Sequence, residues 1–199
     1  CSRCGWPFPD PEATRGAEEP LCQRCRETRD HFRMARAALR YRDDGIARAA
    51  ILLVKHGRRL TLLRHLARLL AESAPQYLSL RDGDGLVPVP LHWVRRWRRG
   101  FNQAAMLAAE VARRLDCRLD VTSLRRVRST APQTAQDLET RRRNVRRAFA
   151  VKRAPAIANR RVLLVDDVMT TGATADECAR TLLRAGAKWV DVLTLARVL

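Results

Sequence analysis

Asp166 and Asp167 stand side by side at the end of a Val-Leu-Leu-Val run, and Met169-Thr170-Thr171-Gly172-Ala173-Thr174 follows them. Arg161 to Val165 reads as a β-strand, and a helical pattern runs from Thr174 to Ala185 with Gly186 at its C′ position. The C-terminal edge of a parallel strand is where α/β folds hold ligands. A helix start preceded by small residues offers unpaired N–H groups and the positive end of a dipole to an anion. Hydroxyls of Thr170, Thr171 and Thr174 add donors, and two carboxylates beside such a cradle suit ribose hydroxyls, directly or through Mg²⁺. Each part alone also occurs in a plain turn with a helix cap. Their order, strand, carboxylate pair, Thr-Gly loop and helix, points to a sugar phosphate.

A second chemistry lies at the other end of the chain. Cys1-x-x-Cys4 and Cys22-x-x-Cys25 form two pairs with seventeen residues between them. Each pair can turn tightly and aim two thiolates at one ion, so that together they complete a tetrahedron, the arrangement of a structural zinc ribbon. The segment between them holds Pro7, Pro9, Pro11, Gly16 and Pro20 and cannot build a core of its own, which makes a metal its natural staple. The alternatives are two disulfides or four free thiols, and nothing in the sequence argues for the oxidising compartment that disulfides need. Cys117 and Cys178 are isolated and read as small buried apolar residues.

Charge narrows the partners. The 199 residues carry 39 Lys and Arg against 21 Asp and Glu, a net of +18, and only Lys55, Lys152 and Lys188 are lysines. Residues 1–30 are net −1, residues 31–100 net +10, residues 101–150 net +6 and residues 151–199 net +3. An excess in the middle of the chain implies polyanionic partners rather than a basic tail, and arginine binds phosphate through two parallel N–H donors. Part of the excess forms the loop Arg95, Arg96, Arg98, Arg99 and Gly100, after the buried strand of Leu86-Val87-Pro88-Val89-Pro90. Trp93, Trp97 and Phe101 interleave with these arginines, and with Trp6 they are the aromatic candidates for stacking bases. A further part lies between Arg125 and Arg147, including Arg126, Arg141, Arg142 and Arg143. The plainer reading of both is a solvated basic turn. Lys55 reads as a surface lysine, with phosphate contact the alternative.

The elements that must position these residues alternate. Residues 31–44 read as a connector, and helical patterns follow on Ile46, Ala49, Ala50, Leu53 and Val54 and on Leu62, Leu63, Leu66, Leu69 and Leu70, separated by Gly57. A helix follows on Ala104, Leu107, Ala108, Val111 and Leu115, then a strand from Leu119 to Leu124, a helical stretch around Thr134 to Arg143, and a last strand from Lys188 to Leu195. Alternating strands and helices predict an α/β fold with a mostly parallel sheet. No apolar run reaches the ~18 residues that span a bilayer. Neither does the chain open on a signal sequence, and its lack of an initiator Met points to trimmed numbering.

The thirteen residues from Val162 to Thr174 resemble the signature of type I phosphoribosyltransferases. By that resemblance the fold is their doubly wound, mostly parallel sheet, with a zinc ribbon at residues 1–30 and the transferase-like domain at residues 31–199. Asp166 and Asp167 would contact the ribose of 5-phosphoribosyl 1-diphosphate. Thr170, Thr171, Gly172, Ala173 and Thr174 would cradle its 5′-phosphate. Arg99 and Gly100 would hold the pyrophosphate with Mg²⁺, and residues 125–147 would include a loop that closes over it. The full set of marks resembles the ComF-type competence proteins: the four-Cys ribbon, Lys55-His56-Gly57, Val-Pro-Val-Pro-Leu, Arg-Arg-Gly-Phe-Asn-Gln, Gln133, Arg143-Asn144-Val145 and the Asp-Asp-Val-Met-Thr-Thr-Gly-Ala-Thr loop. That resemblance implies a cytoplasmic role in the uptake of transforming DNA, with single-stranded DNA and competence helicase or recombination proteins as partners. It leaves turnover open. The classes to separate are a transferase, a DNA-binding competence factor and a diphosphate-sensing regulator. With the chain ending at Leu199, a base-recognising hood is expected from the ribbon and residues 31–75.

Overall fold

In the computed structural model, residues 1–8, 10, 12–14, 18–57, 59–76, 84–93, 97, 100–128 and 138–199 are described. The strands in chain order are β1 (Ala35–Tyr41), β2 (Gly85–Pro88), β3 (Arg118–Leu119), β4 (Leu124–Arg126), β5 (Phe149–Val151), β6 (Arg161–Met169) and β7 (Trp189–Val198). The α-helices are α1 (Gln23–Glu27), α2 (Ile46–Gly57), α3 (Leu60–Ser73), α4 (Gln103–Leu115), α5 (Leu138–Val145) and α6 (Ala173–Arg184).

Every pairing in the main sheet is parallel, in the order β1-β7-β6-β2-β3. A parallel sheet has both faces covered, so its central strands are apolar throughout. On β6, Val162 and Leu164 point to one core and Leu163 and Val165 to the other. The first core is closed by α6 and by the antiparallel β4–β5 pair, through Ala175, Cys178, Leu182, Leu124 and Phe149. The second is closed by α2, α3 and α4, through Ile51, Val54, Leu63, Leu70, Leu107 and Val111. Helices on both faces make this a doubly wound α/β fold of the type I phosphoribosyltransferase kind.

Three boundaries differ from the sequence expectations. The connector at 31–44 contains β1, an edge strand whose small and basic residues (Ala-Arg-Ala-Ala-Leu-Arg-Tyr) hide the period-two signal. Pairing with β7 decides it, because β propensity yields to context. The strand expected from Leu119 to Leu124 is two strands belonging to different sheets. Asp120 separates them by accepting from the N–H groups of Thr122 and Ser123, both at 2.9 Å. Finally, β6 continues through both aspartates to Met169. Among the described residues no helix is long and apolar enough to cross a membrane.

Candidate functional site

The inside–outside alternation of β6 breaks at its two carboxylates. Val165 and Val168 both reach the α2–α4 face, and Met169 reaches the opposite one. Each carboxylate folds back onto the next residue: Asp166 Oδ1 accepts from the Asp167 N–H at 2.8 Å, and Asp167 Oδ1 from the Val168 N–H at 2.7 Å. Lys55 reaches from α2 to put Nζ 2.8 Å from Asp167 Oδ2, with both side chains about one-fifth exposed. It is therefore half-buried at the acidic site rather than a surface lysine. Among the described residues no cation pairs with Asp166, and burial, followed by the neighbouring Asp167 charge, pushes its carboxyl up to about 8.

After β6 the chain turns through Thr170 and Thr171 into α6. Gly172 is the residue before the helix and has a φ of +84°. A side chain is strained in that left-handed region, and a Cβ there would also lie 2.8 Å from Met169 Cε. Among described residues, Gly172 brings no side-chain cap to the first N–H groups of α6. Thr171 Oγ1 accepts from the Ala173 N–H at 3.4 Å, and the first-turn N–H groups of a helix start are of the kind that suits an anion.

β2 ends beside this site, because Pro88 pairs with Val165 and the Val89 N–H donates to Val165 O at 2.8 Å. The Asn102 side chain donates to Val89 O at 3.2 Å and accepts from the Ala104 N–H at 3.1 Å, so the start of α4 is pinned to the same sheet edge. Gly100, with φ +80°, takes a backbone conformation that other residues reach only with strain. Arg95, Arg96, Arg98 and Arg99 lie outside the described residues. Trp93 and Trp97 are 71% and 83% exposed, whereas Phe101 packs against the α2–α4 core.

The four cysteines converge, all Sγ atoms lying within 4.8 Å of one another and Cys4 Sγ 3.6 Å from Cys22 Sγ. Four thiolates at Zn–S ≈ 2.3 Å stand about 3.8 Å apart, so the cluster fits a tetrahedral ion. The unit packs directly on the loop after β6. From α1, Arg24 donates to Thr171 O at 2.6 Å and pairs with the buried Asp30 at 2.5 Å. Asp30 also meets Arg142 of α5 at 3.3 Å. Burial raises the Asp30 carboxyl against the pull of Arg24. From β7, the buried Arg197 donates to Cys4 O at 2.7 Å and lies 5.3 Å from the Trp6 ring centroid.

The arginines between 125 and 147 divide by location. Arg126 stacks on Phe149 at 5.4 Å, Arg142 is held by Asp30, and Arg125 donates to Thr122 O at 3.1 Å. Arg128, Arg143, Arg146 and Arg147 line an open cavity of about 480 Å³, with Arg128 anchored on Asn144 O and Arg146 O. Residues 129–137, including Gln133, lie outside the described residues. Sequence reasoning gave no role to Arg24, Asp30 or Arg197. A charged side chain has no periodicity to betray that it bridges distant elements.

The phosphoribosyl transferase domain model matches residues 102–198. DNA utilization protein YhgH of Escherichia coli K12 is 39% identical over 149 residues, covering 73% of this chain and 65% of that protein. Competence protein F of Haemophilus influenzae is 38% identical over 144 residues, covering 67% and 60%. The chain belongs to the ComF-type competence protein family. This ComF-type chain spans about 65% of the length of the curated relatives it matches. Among solved structures it is similar to glutamine phosphoribosylpyrophosphate amidotransferase from B. subtilis (TM-score 0.45, 20% identity, 66% of this chain and 25% of that one). It is also similar to adenine phosphoribosyltransferase from Thermoanaerobacter pseudethanolicus (TM-score 0.42, 17% identity, 70% and 82%).

Proposed function

We propose that this ComF-type chain binds 5-phosphoribosyl 1-diphosphate at the end of β6 and carries one structural zinc ion on Cys1, Cys4, Cys22 and Cys25. The observation that carries the first part is the loop itself: a carboxylate pair at a parallel strand end, then the start of α6 behind a left-handed Gly172. Thr170 to Thr174 hold the 5′-phosphate through backbone N–H groups and hydroxyls. Asp166 and Asp167 accept from the ribose hydroxyls, and Lys55 Nζ, 2.8 Å from Asp167 Oδ2, positions that side chain. The pyrophosphate is assigned to Gly100, in the loop before α4, and to Arg99, which lies outside the described residues. Mg²⁺ supplies charge neutralisation of the diphosphate. Oxygens of the diphosphate and water, with the Asp167 side chain beside them, would complete its oxygen shell.

Calorimetric titration with 5-phosphoribosyl 1-diphosphate and Mg²⁺ tests this reading, with binding expected and Asp167→Asn expected to weaken it about tenfold or more. A folded protein that takes up no ligand would sink it. Metal analysis is expected to return one zinc per chain.

A second reading has its own observation, the cavity of Arg128, Arg143, Arg146 and Arg147. Together with the exposed Trp93 and Trp97, and with relatives named for DNA utilization and competence, it supports binding of single-stranded DNA in the cytoplasm. Affinity is then expected to fall steeply as salt rises, and a flat salt response would refute phosphate tracking by these arginines.

A further inference from the structure

Arg128, Arg143, Arg146 and Arg147 face one cavity of about 480 Å³, and among the described residues no carboxylate forms an ion pair with any of them. The arginines around them are engaged: Arg142 with Asp30, Arg126 with the Phe149 ring and Arg180 with Glu177. Four like charges around one space repel each other, and an anion between them removes that cost. The backbone fixes two of the four. Arg128 donates to the carbonyls of Asn144 and Arg146 at 2.8 and 2.7 Å, which ties its head to the turn after α5. Arg147 stands in that turn at φ +56°, a left-handed conformation that strains a side chain and suits glycine. Its N–H is held there by Glu177 Oε1 at 2.7 Å. A strained backbone that carries an arginine into a cavity points to a task for its head. The cavity shares no lining residue with the loop after β6 or the start of α4.

Charge density selects the ligand. The volume has room for about one nucleotide. An internal nucleotide brings a single negative charge on its phosphate, against the guanidinium charges of all four arginines. A strand end that carries a phosphomonoester brings about two charges at neutral pH, together with that of the next diester. We propose that this cavity holds the phosphorylated end of a nucleic-acid strand in preference to the strand's internal phosphates. The site rests on the strand-binding reading above and narrows it from a run of phosphates to one terminus.

Binding of short thymidylate oligomers to the full chain tests it, all of one length and ending in a 5′-phosphate, a 3′-phosphate or hydroxyls at both ends. At about pH 7.5 one of the phosphorylated oligomers is expected to bind about tenfold tighter than the hydroxyl-ended one. That advantage is expected to shrink below about pH 6, where the monoester loses its second charge. Arg147→Gly removes a cation and relaxes the left-handed turn, so its melting temperature is expected to stay close to that of the natural chain. The same variant is expected to cut the ratio of phosphorylated to hydroxyl-ended affinity about threefold or more, a ratio that nonspecific weakening of both oligomers leaves unchanged. Equal affinity for all three oligomers, or an unchanged ratio in folded Arg147→Gly, would overturn the terminal site and leave strand binding standing. No binding of any oligomer by the folded chain would remove both. Inorganic tripolyphosphate bound more tightly than either phosphorylated oligomer would give the cavity to a free polyphosphate and overturn the strand-end assignment.

Discussion

Asp166 and Asp167 are adjacent in sequence and unlike in environment. Asp167 has Lys55 at 2.8 Å, while burial and the Asp167 charge hold the Asp166 carboxyl up at about 8. A carboxyl whose native pKa is raised keeps its proton in the folded chain over a range where the unfolded chain has lost it. The fold therefore binds the extra proton between the ordinary value of 3.8 and about 8, and stability falls as pH rises through that window. Asp166→Asn is expected to match the natural chain near pH 3.5 and to exceed it at pH 8 and above, by on the order of 1 kcal/mol or more, read by urea unfolding at both pH values. A gain independent of pH would show that Asp166 is not the titrating group. For the partner pair, Lys55→Ala is expected to cost about 1 kcal/mol at pH 7. The same change in an Asp167→Asn background is expected to cost much less, and a double-mutant cycle measures the difference.

At the scale of elements, the loop between β6 and α6 depends on one backbone conformation. Gly172→Ala forces a side chain to φ +84° and brings it against Met169 Cε, and it is expected to destabilise by about 1–2 kcal/mol. Gly100 offers a control, since at φ +80° an added Cβ meets nothing within 4 Å. Gly100→Ala is expected to cost slightly less, and thermal unfolding of both variants isolates the Met169 contact. These loops were legible in the sequence because glycine, threonine and tandem aspartate are rare in that order for any other purpose. β1 was not legible, because Arg36 and Arg40 interrupt its apolar residues and its pairing partner lies more than 150 positions away. The end of β6 was also hidden: carboxylates look like the end of a strand, yet β7 continues to pair through Met169.

Across the whole molecule, the four-cysteine unit is wired to the loop after β6. Arg24 joins Thr171 to Asp30, Asp30 joins Arg142 on α5, and Arg197 joins Cys4 to the end of β7. Loss of a metal held by the four cysteines is therefore expected to be felt at the loop after β6. Chelation should lower the melting temperature by about 5–10 °C, equivalent to roughly 2–3 kcal/mol, and weaken 5-phosphoribosyl 1-diphosphate as well. Unchanged ligand affinity in a metal-free, folded chain would show the two ends to be independent. The net charge of +18 also resolves at this scale. Arg142 and Arg126 are spent inside the fold, on Asp30 and Phe149, and Arg143, Arg146, Arg147 and Arg128 collect around one cavity.

Local chemistry was already determined by the sequence. Two C-x-x-C turns, a carboxylate pair followed by a Thr-Gly loop, and alternating apolar patterns each specify their own geometry within a dozen residues. Tertiary structure alone decided what those parts share. It placed Lys55 on Asp167, buried Asp30 between two arginines, and set the cysteine unit against the loop after β6 with a cavity between them. The physical reason is that long charged side chains act at the distance of their heads, not of their backbones. Which partner such a head meets depends on chain crossings that no local pattern encodes.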